Sequence, residues 1–466
     1  MGALHGPVRA SAAPPSTLPH CVAMRPSLSG TVGHDATRIF DAAIAAVDPA
    51  RLTAGHLLVE HGRVTVPVSA ARSISWAGPT LVIGAGKAAA RMAAGSETVL
   101  DRAALRGAVI VADGCRVPLD AITVFEAAHP LPDRRGELAT QHLLSLVERT
   151  TSGGIVCLLS GGASSLLVAP RPPVDRQDKV RTTDLLLRCG AAIDEINVVR
   201  KHLSQVKGGG LLRRVRVPLA TLLLSDVIGD DPATIGSGPT AVDPSTYADA
   251  WAVLQHYDLL AAVPPTVPTL LRSGREGALP ETLKAVDPQA GGAANVIVGS
   301  NRTALNGAAT AAETLGWHVQ LESAPLVGES ASAARAFAGR LRRIRAAQGP
   351  GARICVLAGG ETTVRVRGTG RGGRNQEFAL ALASEMAEQP VTVLSAGTDG
   401  VDGPTDAAGA FVDGTTMRRA ARRGLDPGAA LADNDSYTFF AHLGDLFRCG
   451  PTGTNVMDIK IALLGG

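Results

Sequence analysis

Apolar and polar positions along the 466-residue chain change period repeatedly, and each change marks a boundary between a short strand and a helix. From Asp35 onward, DATRIFDAAIAAVDP carries apolar residues at helical spacing until Pro49 closes the segment. PTLVIGAGKAAARMAAG then reads as a buried strand, a glycine turn and a helix. GAVIVADG, ITVFEAAHP, GIVCLLSGGASS and PLATLLLSDVIG follow as β-branched and aliphatic runs with helical segments between them. Strands that are apolar on both faces and alternate with helices predict an α/β protein with a parallel sheet covered on each side.

Around residues 270–292 the chain turns rich in Gly, Pro and charge, which reads as an interdomain link. A second α/β series then runs through NVIVGSNRTALNGAATAAETLG, HVQLES, RICVLAGGETTVRV, QPVTVLSAGTDG and NVMDIKIALL. Two domains are therefore expected, 35–270 and 290–466, with the last strand free to return to the first. Residues 1–34 hold Arg, Pro, Ser and Ala without an acid or a steady period, and read as a disordered extension or a mis-assigned start.

Composition narrows the function classes. No apolar run reaches bilayer-spanning length without interruption, so no membrane partner is expected. A net charge of +3, 3% aromatics and the lack of a dense Lys/Arg stripe speak against nucleic acid. The six cysteines are scattered, several of them in strand-like runs, which points to a reducing cytoplasm and small-hydrophobe roles.

VIGAGKAAA sets Gly84 and Gly86 where a strand turns into a helix, an arrangement that can face an anion, with Lys87 in the first turn. The segment is not a Walker A loop but satisfies GxGxxA, and Asp113 ends the next strand. Phosphate binding, a purely structural turn and a nicotinamide site all remain open here. LLSGGASSLL offers Ser160, Gly161, Gly162, Ser164 and Ser165 at a strand end, a nest of donors for a carboxylate or phosphate, or else a helix cap. INVVRKHLSQVKGGGLL reads as a helix with Lys207 in its last turn and Arg200 or Lys201 able to face an anion.

In TLLLSDVIGDDPATIGSGP, Asp226 follows a strand end, where open α/β sheets bind ligands, and a phosphoryl transferase needs a carboxylate there for Mg²⁺ or for the acceptor proton. Asp230 and Asp231 serve equally well as turn residues. GGETTVRVRGTGRGGRNQEFALALA places Arg374, Asn375 and Glu377 at a helix start, suited to charge on a transferring phosphoryl group or to a mobile hairpin tip. SAGTDGVDGPTDAAGA adds Asp399, Asp402 and Asp406, for a metal, a polar ligand or plain Asx turns.

Together, GAGKAA, HPLPD, LLSGGASSLL, INVVRKHLSQVKGGGL, LSDVIGDDPATIGSGPT, GSN, GGETTV, GRGGRNQE, TDGVDGPTDAAGA, NDSY and GPTGTNV occur in the order of the class II glycerate 2-kinases, whose second half is the MOFRL domain. The resemblance covers Asp35 to the C-terminus. It implies a Rossmann-like first domain, a second α/β domain and an active site between them, transferring the ATP γ-phosphoryl to the C2 hydroxyl of D-glycerate with Mg²⁺ or another divalent cation. By the same resemblance Lys87 and Arg374 are the catalytic residues. Further roles are inferred from residue type: Ser160, Gly161, Gly162, Ser164, Ser165 and Arg200 for substrate anions, and Asp226 for metal or the C2 hydroxyl. Gly84, Gly86, Asn301, Glu361, Asn375 and Asp399 are assigned to the nucleotide, and Asp402 to metal. A homodimer is left open. The rivals are an NAD(P)-dependent hydroxypyruvate reductase, a kinase for a related 2-hydroxy acid, and a non-catalytic sugar-acid or nucleotide-binding protein.

Overall fold

The computed structural model describes residues 31–348 and 351–465, so most of the N-terminal extension lies outside the described residues. Its last residues, 31–34, open the helix Thr31–Ala46, which buries Ile39, Phe40 and Ala43. Pro49 begins the next helix, Pro49–His56, where Asp48 caps the first turn by accepting from Arg51 N at 2.8 Å.

A small antiparallel sheet, β1 Leu58–Glu60, β2 Arg63–Ser69 and β3 Arg72–Ala77, precedes the main fold. The first large sheet holds β4 Thr80–Ala85, β5 Leu105–Ala112, β6 Ile122–Ala127, β7 Gly154–Leu159, β8 Leu219–Leu224 and β9 Ala293–Gly299. Its order is β6-β5-β4-β7-β8-β9 and every pairing is parallel. β4, β7 and β8 are buried at every position, as the continuous apolar runs require. Strand order reverses between β4 and β7, and the crevice beyond their carboxyl ends is the usual ligand position in such sheets.

The second sheet comprises β10 His318–Leu321, β11 Ile354–Gly360, β12 Val391–Gly397, β13 Gly409–Asp413, β14 Leu446–Phe447 and β15 Asp458–Leu464. It is mixed, in the order β10-β11-β15-β12-β13-β14. β15 lies antiparallel between β11 and β12, so the last strand stays in the second domain.

Three boundary expectations change. β9 completes the first sheet, so the second domain begins after it and not at 290. The helix Thr31–Ala46 packs on the helix Asn301–Thr314 and on the second sheet, with Phe40 edge-on to Phe447 at 5.0 Å and Asp35 accepting from Trp317 Nε1 at 2.9 Å. The stretch read as an interdomain link is an integral part of the first domain: Thr282 and Leu283 are buried, and Leu283 N donates to Gly208 O at 2.9 Å. Glycine and proline mark irregular backbone, but not whether tertiary contacts hold it in place.

Candidate active site

The GAGK turn owes its shape to its neighbour. A Cβ on Gly84 would meet Leu158 O at 2.4 Å, and one on Gly86, which sits at φ 132°, would meet Ser160 Oγ at 2.2 Å. Only glycine allows the turns after β4 and β7 to approach so closely. The two turns are then bonded: Lys87 N donates to Gly161 O at 2.8 Å and Ala88 N to Ser160 Oγ at 3.0 Å. Gly84 thus packs β4 on β7, Gly86 and Ser160 join the two turns, and Ser160 is 1% exposed. The N–H groups that a pyrophosphate would need are spent within the protein. Asp113, the nicotinamide ribose candidate, is held by both terminal nitrogens of Arg135 at 2.7 and 2.8 Å.

What this bonding leaves exposed is the Lys87 side chain. Its Nζ stands 3.6 Å from Asp399 Oδ2, across the gap between the two domains. Asp399 follows β12, so the carboxyl edges of both sheets converge on this contact. Asp226, after β8, sets its carboxylate against Gly161, where a Cβ would lie 2.2 Å from Asp226 Oδ2 and 3.2 Å from Asn455 Nδ2. Gly162 lies against the His129 ring and the Lys87 stem. Burial pushes the Asp226 carboxyl up, with Lys87 opposing and Asp399 reinforcing the shift. Burial lowers His129, and the Lys87 charge lowers it further.

Arg374 opens the helix Arg374–Glu385, donates to both oxygens of Asp458 at 2.8 and 2.9 Å, and forms an ion pair with Glu361, Nη1 to Oε1 at 2.9 Å. Burial alone would weaken its charge, but these carboxylates more than offset that and raise it. Asp458 is level with Gly360 and Gly397 in the register, so Arg374 is anchored at the same sheet edge that carries Glu361 and Asp399. The glycine loop before it is pinned from the NDSY turn, where Asn434 Oδ1 accepts from Arg367 N and Asp435 Oδ1 from Arg371 N.

Three further candidates are engaged within the protein. Asp402 accepts from Asn375 N at 3.0 Å and Gln376 N at 2.9 Å, capping the helix that Arg374 begins. Burial pushes its carboxyl up to about 6 despite those donors, and the residue is 2% exposed. Asn375 is wholly buried, accepting from Ser395 Oγ and Lys460 Nζ. Asn301 lines a cavity of about 250 Å³ with Ile228, Asp230 and Gly360, yet its amide donates to Val456 O and Asp458 O at 2.8 and 2.9 Å and so ties the two domains.

At the other end of the serine loop, Ser165 Oγ donates back to Gly162 O, while Ser164 Oγ meets Ser237 Oγ at 2.7 Å. Lys207 is not in a helical last turn, because the helix ends at His202; its Nζ donates to Ser164 O at 2.6 Å and Ser164 Oγ at 2.9 Å. Lys201 is paired with Asp243 at 3.2 Å, which leaves Arg200 as the cation of that helix able to face an anion. Sequence reasoning passed over Asp458, Asn455, Lys179 and the site role of His129. The sequence signal for His129 is the His-Pro pair that follows β6.

A divalent cation carried in on nucleotide phosphates needs only one or two protein carboxylates. Asp226, Asp399 and Glu361 fit that demand: burial raises Asp226 and Glu361, and neighbouring negative charge raises both further, so added positive charge there is stabilising. Among the described residues no three His, Cys, Asp or Glu side chains are grouped to hold a metal by themselves.

A doubly wound sheet whose switch-point crevice is closed by a second α/β half, with Lys and Arg facing a carboxylate group, defines a two-domain α/β enzyme with an anion-handling cleft. The model described as domain of unknown function DUF4147 matches residues 35–272, and that of the MOFRL family matches 354–458. The chain is 37% identical to the glycerate 2-kinase of Pyrococcus horikoshii over 92% of this chain and 96% of that protein. It is 39% identical to an Agrobacterium vitis protein provisionally named hydroxypyruvate reductase, over 92% of this chain and 93% of the relative. The crystal structure of a glycerate kinase from Thermotoga maritima superposes with a TM-score of 0.80 at 35% identity, covering 92% of this chain and 99% of that one. The chain belongs to the class II glycerate 2-kinase family, the MOFRL-domain enzymes.

Cys157 and Cys355 lie buried in β7 and β11 with thiols pushed up to about 12 by burial, which fits roles as small hydrophobes. No helix among the described residues is long and apolar enough to cross a membrane.

Proposed function

We propose that this enzyme transfers the γ-phosphoryl group of ATP to the C2 hydroxyl of D-glycerate, giving 2-phospho-D-glycerate and ADP. The observation that carries the reading is the Lys87–Asp399 contact at 3.6 Å, which brings a cation of the first domain and a carboxylate of the second to one point. Phosphoryl transfer asks a protein mainly for alignment and for neutralisation of charge on the equatorial oxygens. Lys87 and Arg374 supply that charge from opposite walls. Arg374 is pre-oriented by its two-point contact with Asp458, so little reorganisation accompanies the transition state.

Asp226 takes the proton of the C2 hydroxyl, and burial makes its carboxylate a better base than an exposed aspartate. The hydroxyl oxygen then bonds to the γ-phosphorus as the bond from phosphorus to the β–γ bridging oxygen breaks, leaving ADP. Mg²⁺ bound at Asp399 and Glu361 would neutralise phosphate charge; an Asp226 engaged by that ion would orient the hydroxyl instead.

The reductase reading is supported by the GxGxxA turn and by the name of one relative. Against it stand the Lys87 and Ala88 N–H groups, already bonded to the serine loop, and Asp113, already paired with Arg135. Incubation with D-glycerate, ATP and Mg²⁺, with phosphorus NMR of the product, separates the readings. A 2-phosphoglycerate signal with stoichiometric ADP is expected. NADH consumption with hydroxypyruvate, without ADP formation from glycerate, overturns the proposal.

A further inference from the structure

Three cations of the first domain gather around the serine loop without an equal number of anions. Lys207 is 2% exposed, and its Nζ spends its donors on Ser164 O, Ser164 Oγ and Gly236 O. Arg200 and Lys179 lie close enough for their charges to bear on it and on each other. Arg200 is on the helix Ile193–His202 and Lys179 on the helix Arg176–Arg188, which pack together. Both side chains are partly buried, and neither makes a hydrogen bond or ion pair among the described residues. Glu137 is the acid that bears on Lys179, and its carboxylate is also 3.7 Å from Arg176 Nε.

A pair of half-buried cations without partners is costly, because desolvation and mutual repulsion both oppose it. A protein that keeps such a pair beside its active-site loop has a use for an anion there. The neighbouring polar groups are already ordered: Ser237, at φ 62°, bonds Ser164 on one side and donates to Asn197 Oδ1 at 3.3 Å on the other. Asn197 lies three residues before Arg200, on the same helix face.

Ser164 is two residues from Gly162, which touches Lys87 and His129, and two residues span at most about 7 Å. Lys207, on which the charges of Lys179 and Arg200 bear, thus holds a residue of the same short loop that touches Lys87. Lys87 and Arg374 meet the nucleotide's charge at the domain boundary. What remains for the inner cations is the other anion of the reaction.

We propose that Lys179 and Arg200 form the subsite for the carboxylate of the acceptor acid, with Lys207 positioning the serine loop between them and Lys87. This rests on the glycerate kinase reading above. It makes the enzyme selective for 2-hydroxy acids over neutral polyols, since glycerol would leave both cations unpaired.

The test uses the whole enzyme and its Lys179→Met and Arg200→Met variants. Steady-state kinetics give KM for D-glycerate and for ATP, calorimetry gives affinities for D-glycerate and ADP separately, and thermal melts report the fold. Each variant is expected to raise the D-glycerate KM and Kd at least tenfold, leave ATP and ADP within twofold, and melt no lower than the parent. An unchanged glycerate KM and Kd overturns the subsite. A selective loss of ADP affinity also overturns it, assigning the cations to nucleotide phosphate. Absence of glycerate turnover in the parent enzyme overturns the kinase reading itself, and that is seen before any variant is made.

Discussion

Arg374 and Asp458 meet through two parallel hydrogen bonds, Nε to Oδ2 at 2.8 Å and Nη2 to Oδ1 at 2.9 Å, with the Asp458 side chain only 1% exposed. Such a fork fixes the guanidinium plane, which a lysine cannot reproduce. Burial would raise Asp458, but Lys460 and Arg374 outweigh it and hold the carboxyl below its usual range.

Arg374→Lys is therefore expected to lower kcat by about 10²–10³ with little rescue from the retained charge. Asp458→Asn, acting through Arg374, should lower kcat at least tenfold while the ATP KM changes little. Steady-state kinetics on both variants check this. A normal kcat in Arg374→Lys would mean that the plane of the side chain does not matter.

Lys87→Ala should cost about 10²–10³ in kcat, because it removes charge from the transferring group. Its ion pair with Asp399 is part-exposed, so either Lys87→Ala or Asp399→Asn should shift unfolding free energy by no more than about 1 kcal/mol. Urea titration of both variants, beside the kinetics, separates the catalytic role from the structural one.

Ser160 and Gly86 should behave in the opposite way. Ser160→Ala removes the acceptor of Ala88 N–H and is expected to cost about 1–3 kcal/mol of stability, with the D-glycerate KM nearly unchanged. Gly86→Ala forces a side chain against Ser160 at φ 132° and should destabilise more than Ser160→Ala does. A large KM effect in a normally stable Ser160→Ala protein would return Ser160 to the substrate site.

Burial, then the Arg200 charge, lowers Lys179 to about 7, with Glu137 opposing. Between about 7 and the ordinary lysine value of 10.5, the unfolded chain binds the proton that the native protein lacks. Stability contributed by this group therefore rises with pH across that window, as the cost of the buried charge is relieved. Lys179→Met should flatten that slope in melts taken from pH 6 to pH 10. In the parent enzyme a bound carboxylate favours charged Lys179, so the D-glycerate KM should climb above pH about 7, and should do so less in the variant.

Much of the first sheet was legible. TLVIGA, GIVCLL and LATLLL are unbroken apolar runs, and such runs have few places to go other than the centre of a parallel sheet. The antiparallel strands β1–β3 escaped because VTVPVS carries a proline and sits between exposed, charged neighbours. Lys87 and Arg374 stand out by their motifs, and the fold pairs Lys87 with Asp399 and Arg374 with Asp458. Asp402 and Asn375 carried the same kind of signal, yet face inward to cap and brace a helix. A carboxylate beside glycines looks the same in sequence whether it meets a ligand or a backbone N–H.

The sequence by itself determined the alternation of strand and helix, the parallel character of the first sheet and the set of polar turns from which a site could be drawn. These follow from local rules: side-chain periodicity, the conformational range of glycine and proline, and the avoidance of buried unpaired polar groups. Only the tertiary structure decided that β9 belongs to the first domain, that β15 runs through the middle of the second, and which acids and bases meet around the cleft. Those choices depend on contacts between residues far apart in the chain, such as Lys87 with Asp399 and Arg374 with Asp458, and short-range patterning carries no record of them.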